Sequence, residues 1–179
     1  MGRKHSKEQI LAGAIAVARE HGLSQLTFGR VAAQLGISDR TVVYYLPTKD
    51  DLVGEVVTSL GVELQQTLGA AFTVTVADHV DLVRRAWPVL AADDTDATFA
   101  LFFEAIGLAA AGREPYRSLI PELLNGWIAW AATFIEGGDD VRLAEASAAV
   151  ATIDGLLLLR QIAGPEVAET AGRRLGIAQ

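Results

Sequence analysis

Residues 6–47 are punctuated so closely that they leave room for little except three short helices joined by tight turns. Ser6-Lys7-Glu8-Gln9 has the spacing of a capping box, in which two side chains satisfy free backbone groups at a helix start. Ile10, Leu11, Ala14, Val17 and Ala18 then recur with the period of one helix face, and Gly22 supplies the stop. Thr27 is placed to cap a second helix with an inner face of Phe28, Val31, Ala32 and Leu35, which Gly36 ends. Ser38 opens a third helix, Asp39 to about Tyr45, and Pro47 prevents its continuation. At this spacing the second and third helices form a helix-turn-helix. Gly36 takes the positive φ of the turn, and small Ala32 permits a close crossing. Val31, Ala32, Leu35, Ile37 and Val42 make one small core with Ile10, Ala14 and Val17.

With Val42 and Leu46 turned inward, the outer side of the third helix carries Asp39, Arg40, Thr41, Val43 and Tyr45. These side chains suit a DNA major groove. Arg40 can grip guanine through two parallel hydrogen bonds, Asp39 can accept from a cytosine amine or orient Arg40, and Val43 suits a thymine methyl. Ser38 lies beside them, and Thr41 can bond a base edge or a phosphate. Tyr44, Tyr45 and Lys49 offer two hydroxyls and a charge to phosphates, as does Thr27 with the amides at its helix start. A simple three-helix bundle with Tyr44 and Tyr45 as apolar anchors is the alternative reading of the same pattern.

Charge supports the first reading. The formal net charge is −7, but residues 1–49 hold seven Lys and Arg against three acids, while the remainder holds eight against nineteen. A positive head on an acidic chain fits a protein that presents one face to phosphates. Arg3 and Lys4 would add a basic arm.

The run from Leu26 to Leu52 resembles the N-terminal signature of the tetracycline-repressor (TetR) family, with a likeness that extends over residues 8–53. The segment Ile153-Asp-Gly-Leu-Leu157 also looks like part of that family's penultimate helix. The resemblance implies that residues 39–45 read DNA and that Thr27, Tyr45 and Lys49 touch phosphate. It further implies a dimer built from two helices per subunit, repression at a near-palindromic operator, and release when a small molecule enters the body. Three departures stand out: Val43 replaces a usual tyrosine, Leu46 a usual phenylalanine and Gly29 a frequent arginine.

The rest of the chain reads as helices, so the expected fold is all-α: a DNA-binding head over residues 1–48 and a ligand-binding and dimerisation body over 49–179. Thr48 can cap a helix reaching about residue 70, with Asp50 and Asp51 in its first turn where the helix dipole favours acids. Further helices are expected near 77–91, 95–111, 115–136, 140–163 and 166–175, with Thr73–Val76 as a loop.

Nine of the twelve aromatics follow residue 50. Phe99, Phe102, Phe103, Trp127, Trp130 and Phe134 can line an apolar pocket, with Trp87, Glu104, Asn125 or Arg84 as polar contacts; ordinary core packing is the alternative for each aromatic. The stretches 127–135 and 146–159 are apolar nearly all round, more than one small chain can bury. Ala144, Ala148, Ala151, Gly155 and Leu159 are placed for close approach to a second copy. Asp154, inside the second stretch, has as readings a pair with Arg160, a ligand amine, or a hydrogen bond to a neighbouring helix or across the dimer.

The chain has no cysteine, and its three histidines are scattered, so no metal or other cofactor is expected. No nucleophile-base order, phosphate-cradling loop or paired catalytic carboxylates is present, which argues against an enzyme. The N-terminus does not read as a signal peptide, and the apolar stretches fall short of a membrane span, so a cytoplasmic protein is expected. Two other readings remain: a helix-turn-helix dimer with no effector, and a helical dimer that does not bind DNA.

Overall fold

The computed structural model describes residues 5–178; the basic pair Arg3 and Lys4 lies outside them. The described residues form the helices α1 (Lys7–His21), α2 (Phe28–Leu35), α3 (Asp39–Tyr45), α4 (Lys49–Gly69), α5 (His79–Leu90), α6 (Asp96–Ala110), α7 (Tyr116–Ala132), α8 (Asp139–Ala163) and α9 (Pro165–Arg174). The architecture is all-α, as the spacing predicts. It divides into two compact units. The first comprises the chain up to Val62 together with Leu101–Ile120; the second comprises Glu63–Ala100 and the chain from Pro121 on.

In the first unit the local signals take effect where they stand. The capping box at Ser6 is complete: the Gln9 amide donates to Ser6 Oγ at 3.3 Å, and the Ser6 amide donates to Gln9 Oε1 at 3.1 Å. Thr48 and Asp51 form the same reciprocal arrangement at the start of α4. Gly36 sits in the left-handed region at φ 65°, and the Ile37 amide reaches back 3.0 Å to the Ala32 carbonyl. This closes α2 and sends the chain into α3. Ile10, Ala14, Val31, Val42 and Leu46 are almost wholly buried, as the helical period requires.

One close contact comes from a residue that the periodicity passes over. A Cβ on Gly13 would lie 2.7–2.8 Å from three atoms of the Leu35 side chain, so α1 and α2 approach closely only because position 13 is bare.

In the second unit, polar contacts fasten helices at their ends. Glu145 of α8 accepts from the His79 amide at 2.9 Å and lies 2.6 Å from its ring Nδ1. Trp87 donates its indole N–H to Glu169 at 2.9 Å, and the Arg84 guanidinium holds the Gly176 carbonyl. Arg160, itself buried, donates to both oxygens of Asp96 at 2.7 and 3.0 Å and to Asp93 at 2.7 Å. These three bonds correct one sequence reading: Arg160 pairs with Asp93 and Asp96 and not with Asp154. Two carboxylates around a planar guanidinium offset the desolvation of the buried cation.

Residues 73–76 are not wholly loop. Val76 makes an isolated parallel bridge with Ile135: its amide donates to the Phe134 carbonyl at 2.8 Å, and its carbonyl accepts from Glu136 at 2.9 Å. That bridge also explains why α7 stops at Ala132 and not near residue 136. The Phe134 carbonyl and the Glu136 amide are engaged by the extended Val76, while the amides of 133–135 reach back three residues in a closing turn.

The 25-residue α8 is the one described helix long and apolar enough by length and composition to cross a bilayer; 28% of its most apolar window is buried within the chain. Its apolar surface therefore lies largely outside the core.

Burial pushes the Asp154 carboxyl up to about 6. Folding thus takes up a proton here between the ordinary carboxylate range and pH 6, and the penalty for the charged form is complete above it. Asp154→Asn is expected to raise stability by about 1–3 kcal/mol at pH 7.5 and to lose that advantage near pH 4, read as denaturant midpoints at the two pH values.

Candidate nucleic-acid interface

The candidate interface is built on α2, the Gly36 turn and α3. Val42 is fully buried and Leu46 nearly so, and together they set the roll of α3 about its own axis. Asp39 and Arg40 are then exposed, Val43 is 37% exposed and Tyr44 78% exposed. Beside them His5, Gly36, Ile37, Ser38, Arg40, Thr41, Tyr44 and Tyr45 line an open groove of about 720 Å³.

The two tyrosines differ. Their rings meet edge to face with centroids 4.9 Å apart, but Tyr45 is half-buried and donates its hydroxyl proton to the His5 carbonyl. Phosphate oxygens only accept, so that proton is not available to DNA while it serves His5. Tyr44 is the one whose ring and hydroxyl stand clear. Sequence spacing had set Tyr45 on the outer side; the structure turns it towards the start of α1.

Ser38 and Thr41 pair through their hydroxyls at 3.0 Å. Ser38 occupies the cap position of α3 without bonding a backbone amide, so its oxygen stays with Thr41. Thr27 is a true cap, accepting from the Arg30 amide at 3.3 Å. The Asp39 carboxylate lies against α2, 3.5 Å from where a Cβ of Gly29 would stand. Among the described residues no carboxylate pairs with Arg30, Arg40 or Lys49, while Lys7 is held by Glu55 at 2.5 Å. Three unpaired cations around one short helix make this face suited to an anion.

Residues 10–56 match the model described as bacterial regulatory proteins, tetR family. The match runs from α1 into α4, and over those residues the chain is similar to that family. No curated protein matches. Among solved structures, a transcriptional regulator from Rhodococcus sp. Rha1 is similar at a TM-score of 0.75 and 22% identity, over 96% of this chain and 95% of that one. A TetR transcriptional regulator from Legionella pneumophila is similar at 0.68 and 18%, over 97% and 96%. The multidrug binding protein EbrR, complexed with imidazole, is similar at 0.69 and 25%, over 98% and 93%. The whole chain thus has the fold of these regulators.

The residues read from sequence as a ligand pocket separate into two groups. Trp87 and Phe99 are buried in the second unit. There Trp127, Trp130 and Phe134 form a continuous aromatic cluster with Phe72, which sequence reading left out: Phe72 stacks on Phe134 at 4.7 Å, and Trp130 meets Phe134 edge-on at 4.9 Å. Phe102, Phe103 and Glu104 belong to the first unit. The Glu104 carboxylate accepts from the amides of Leu23 and Ser24 at 2.7 and 2.8 Å and from the Ser24 hydroxyl. Burial raises its pKa, but those three hydrogen bonds outweigh burial and hold it below the usual carboxylate range.

The stripe Ala144, Ala148, Ala151, Gly155 and Leu159 runs along α8 with every member exposed or half-buried, and Ile162 continues it at 77% exposure. A Cβ on Gly155 would meet nothing within 4 Å.

Two outcomes are expected from the free cations. Arg40→Ala should relax base preference at one position per half-site, a discrimination of about 1–3 kcal/mol, in a selection from randomised duplexes; an unchanged preference would remove Arg40 from base readout. Lys49→Ala should weaken binding to all duplexes alike and lower the slope of log K against log salt by about 1.

Proposed function

We propose that the chain is a tetR-family transcriptional regulator that acts as a homodimeric repressor, each subunit reading one half-site of a near-palindromic operator with the outer face of α3. The observation that carries the reading is the roll of α3: burial of Val42 leaves Arg40, Val43 and Tyr44 outward, with no carboxylate among the described residues pairing Arg40. Base contacts then fall to Arg40 and Val43. Phosphate contacts fall to Thr27, Tyr44 and Lys49, while Ser38, Thr41 and Tyr45 fix the geometry around them.

A second copy covers the α8 stripe. Small residues at 144, 148, 151 and 155 let two helices approach closely, and a two-fold dimer matches an operator with inverted half-sites. Half-site centres would then lie one helical turn of DNA apart, or a multiple of it, about 34–36 Å for a single turn.

The effector we infer is small and largely apolar, favouring a conformation of the dimer that spaces the two heads wrongly for DNA. EbrR, similar along nearly its whole length, is a multidrug binding protein solved with imidazole, proflavin and malachite green. The aromatic cluster of Phe72, Trp127, Trp130 and Phe134 offers flat apolar surfaces of the kind such planar molecules stack against. In this reading the protein works in the cytoplasm and needs no cofactor.

Gly155→Leu tests the dimer without disturbing the subunit, since the added side chain starts in open space. It should sediment as a monomer with an unchanged helical spectrum and lose tight binding to paired half-sites. A dimer that persists would show that the interface lies elsewhere.

A further inference from the structure

We propose that Glu104, far from α3 in sequence, is a positioning residue for DNA binding: its carboxylate fixes the turn between α1 and α2 and thereby the phosphate-facing start of α2. The inference rests on the DNA-binding reading above.

The backbone accounting of that turn is the first argument. Between α1 and α2 the chain makes a single tight turn, Leu23–Gln25, before Leu26 and the cap Thr27. Of the amides from 22 to 26, three find backbone carbonyls: Gly22 donates to Ala18 at 2.8 Å, Gln25 to Gly22 at 3.3 Å and Leu26 to Leu23 at 3.1 Å. The other two, Leu23 and Ser24, donate to the Glu104 carboxylate. The two oxygens thus complete the turn, doing for it what backbone carbonyls do for the rest.

Gly22 is the second argument. It sits at φ 84°, and a Cβ there would stand 2.9 Å from Glu104 Oε2. The residue that ends α1 is therefore also the one that admits the carboxylate.

The third is rigidity on both sides. Leu23 and Leu26 are fully buried, and around Glu104 the residues Leu101, Ala105 and Tyr116 are buried too. Burial and the nearby Glu104 charge push the Tyr116 phenol up to about 12, as expected beside an ionised carboxylate. A fixed anion grips a turn anchored by two leucines, and Thr27 follows directly. Loosening the turn would leave α3 folded but let the start of α2 drift from the phosphate it faces.

The test uses the full-length protein and a duplex recovered by selection from a randomised pool. Glu104→Gln keeps size and shape but offers one acceptor and turns an N–H₂ towards a backbone N–H. It should weaken binding about tenfold and lower the salt slope by about 1, as one phosphate contact is lost, at a temperature where the variant is fully folded. Ser24→Ala, which removes one of the three bonds, should weaken binding less, and its effect should not add to that of Glu104→Gln. A purely structural role would lower the unfolding midpoint while leaving affinity and slope at wild-type values, and that result overturns the proposal. If wild-type protein recovers no duplex, both the DNA-binding reading and this inference fall. If wild type binds and Glu104→Gln binds identically, only this inference does.

Discussion

The left-handed turn at Gly36 is the constraint on which the recognition face depends. It ends α2 after eight residues and starts α3 three residues later, which carries Val42 into the core made by α1 and α2. Burying one valine and one leucine fixes a seven-residue helix that could not persist alone. Everything outward on α3 follows from that roll. The bare Cα of Gly13 is the matching condition on the other side, since it lets Leu35 seat against α1 and holds α2 where the turn begins.

Electrostatics then select the partner. An acidic chain would repel nucleic acid if its charges were spread evenly. Here most acids lie beyond residue 49 in the chain, and residues 1–49 carry seven Lys and Arg against three acids. What an approaching phosphate meets first is local: Arg30, Arg40 and Lys49, which have no carboxylate partner among the described residues. The local acids are Asp39, whose carboxylate is turned towards Gly29 on α2, and Asp50 and Asp51 beside Lys49, of which Asp51 accepts from the Thr48 amide and hydroxyl.

Sequence spacing made the head largely legible because its determinants are local. A capping box, a cap and a glycine stop each act within four residues, so the three helices and the buried set around Val31 and Val42 could be read directly. The orientation of Tyr45 could not, because it depends on the His5 carbonyl forty residues away. Gly13 did leave a signal, a glycine in the middle of a helical pattern, which points to a close approach without naming Leu35 as the neighbour. Glu104 left none: an acid on an apolar helix reads equally well as a pocket group, and only the fold brings it to the amides of Leu23 and Ser24. Arg160 was similarly ambiguous, with Asp154 nearer in sequence than Asp93 and Asp96. On α8 the apolar surface was legible as an excess over what one chain can bury.

The claim that α3 reads DNA through its outer face is tested most directly by backbone amide resonances of the full-length protein, followed as an operator duplex from selection is added. The account predicts the largest shifts at residues 27–30 and 38–49, centred on Arg40 and Tyr44, with α1 little changed. Shifts confined to residues elsewhere, with α3 unperturbed at saturating duplex, would contradict it.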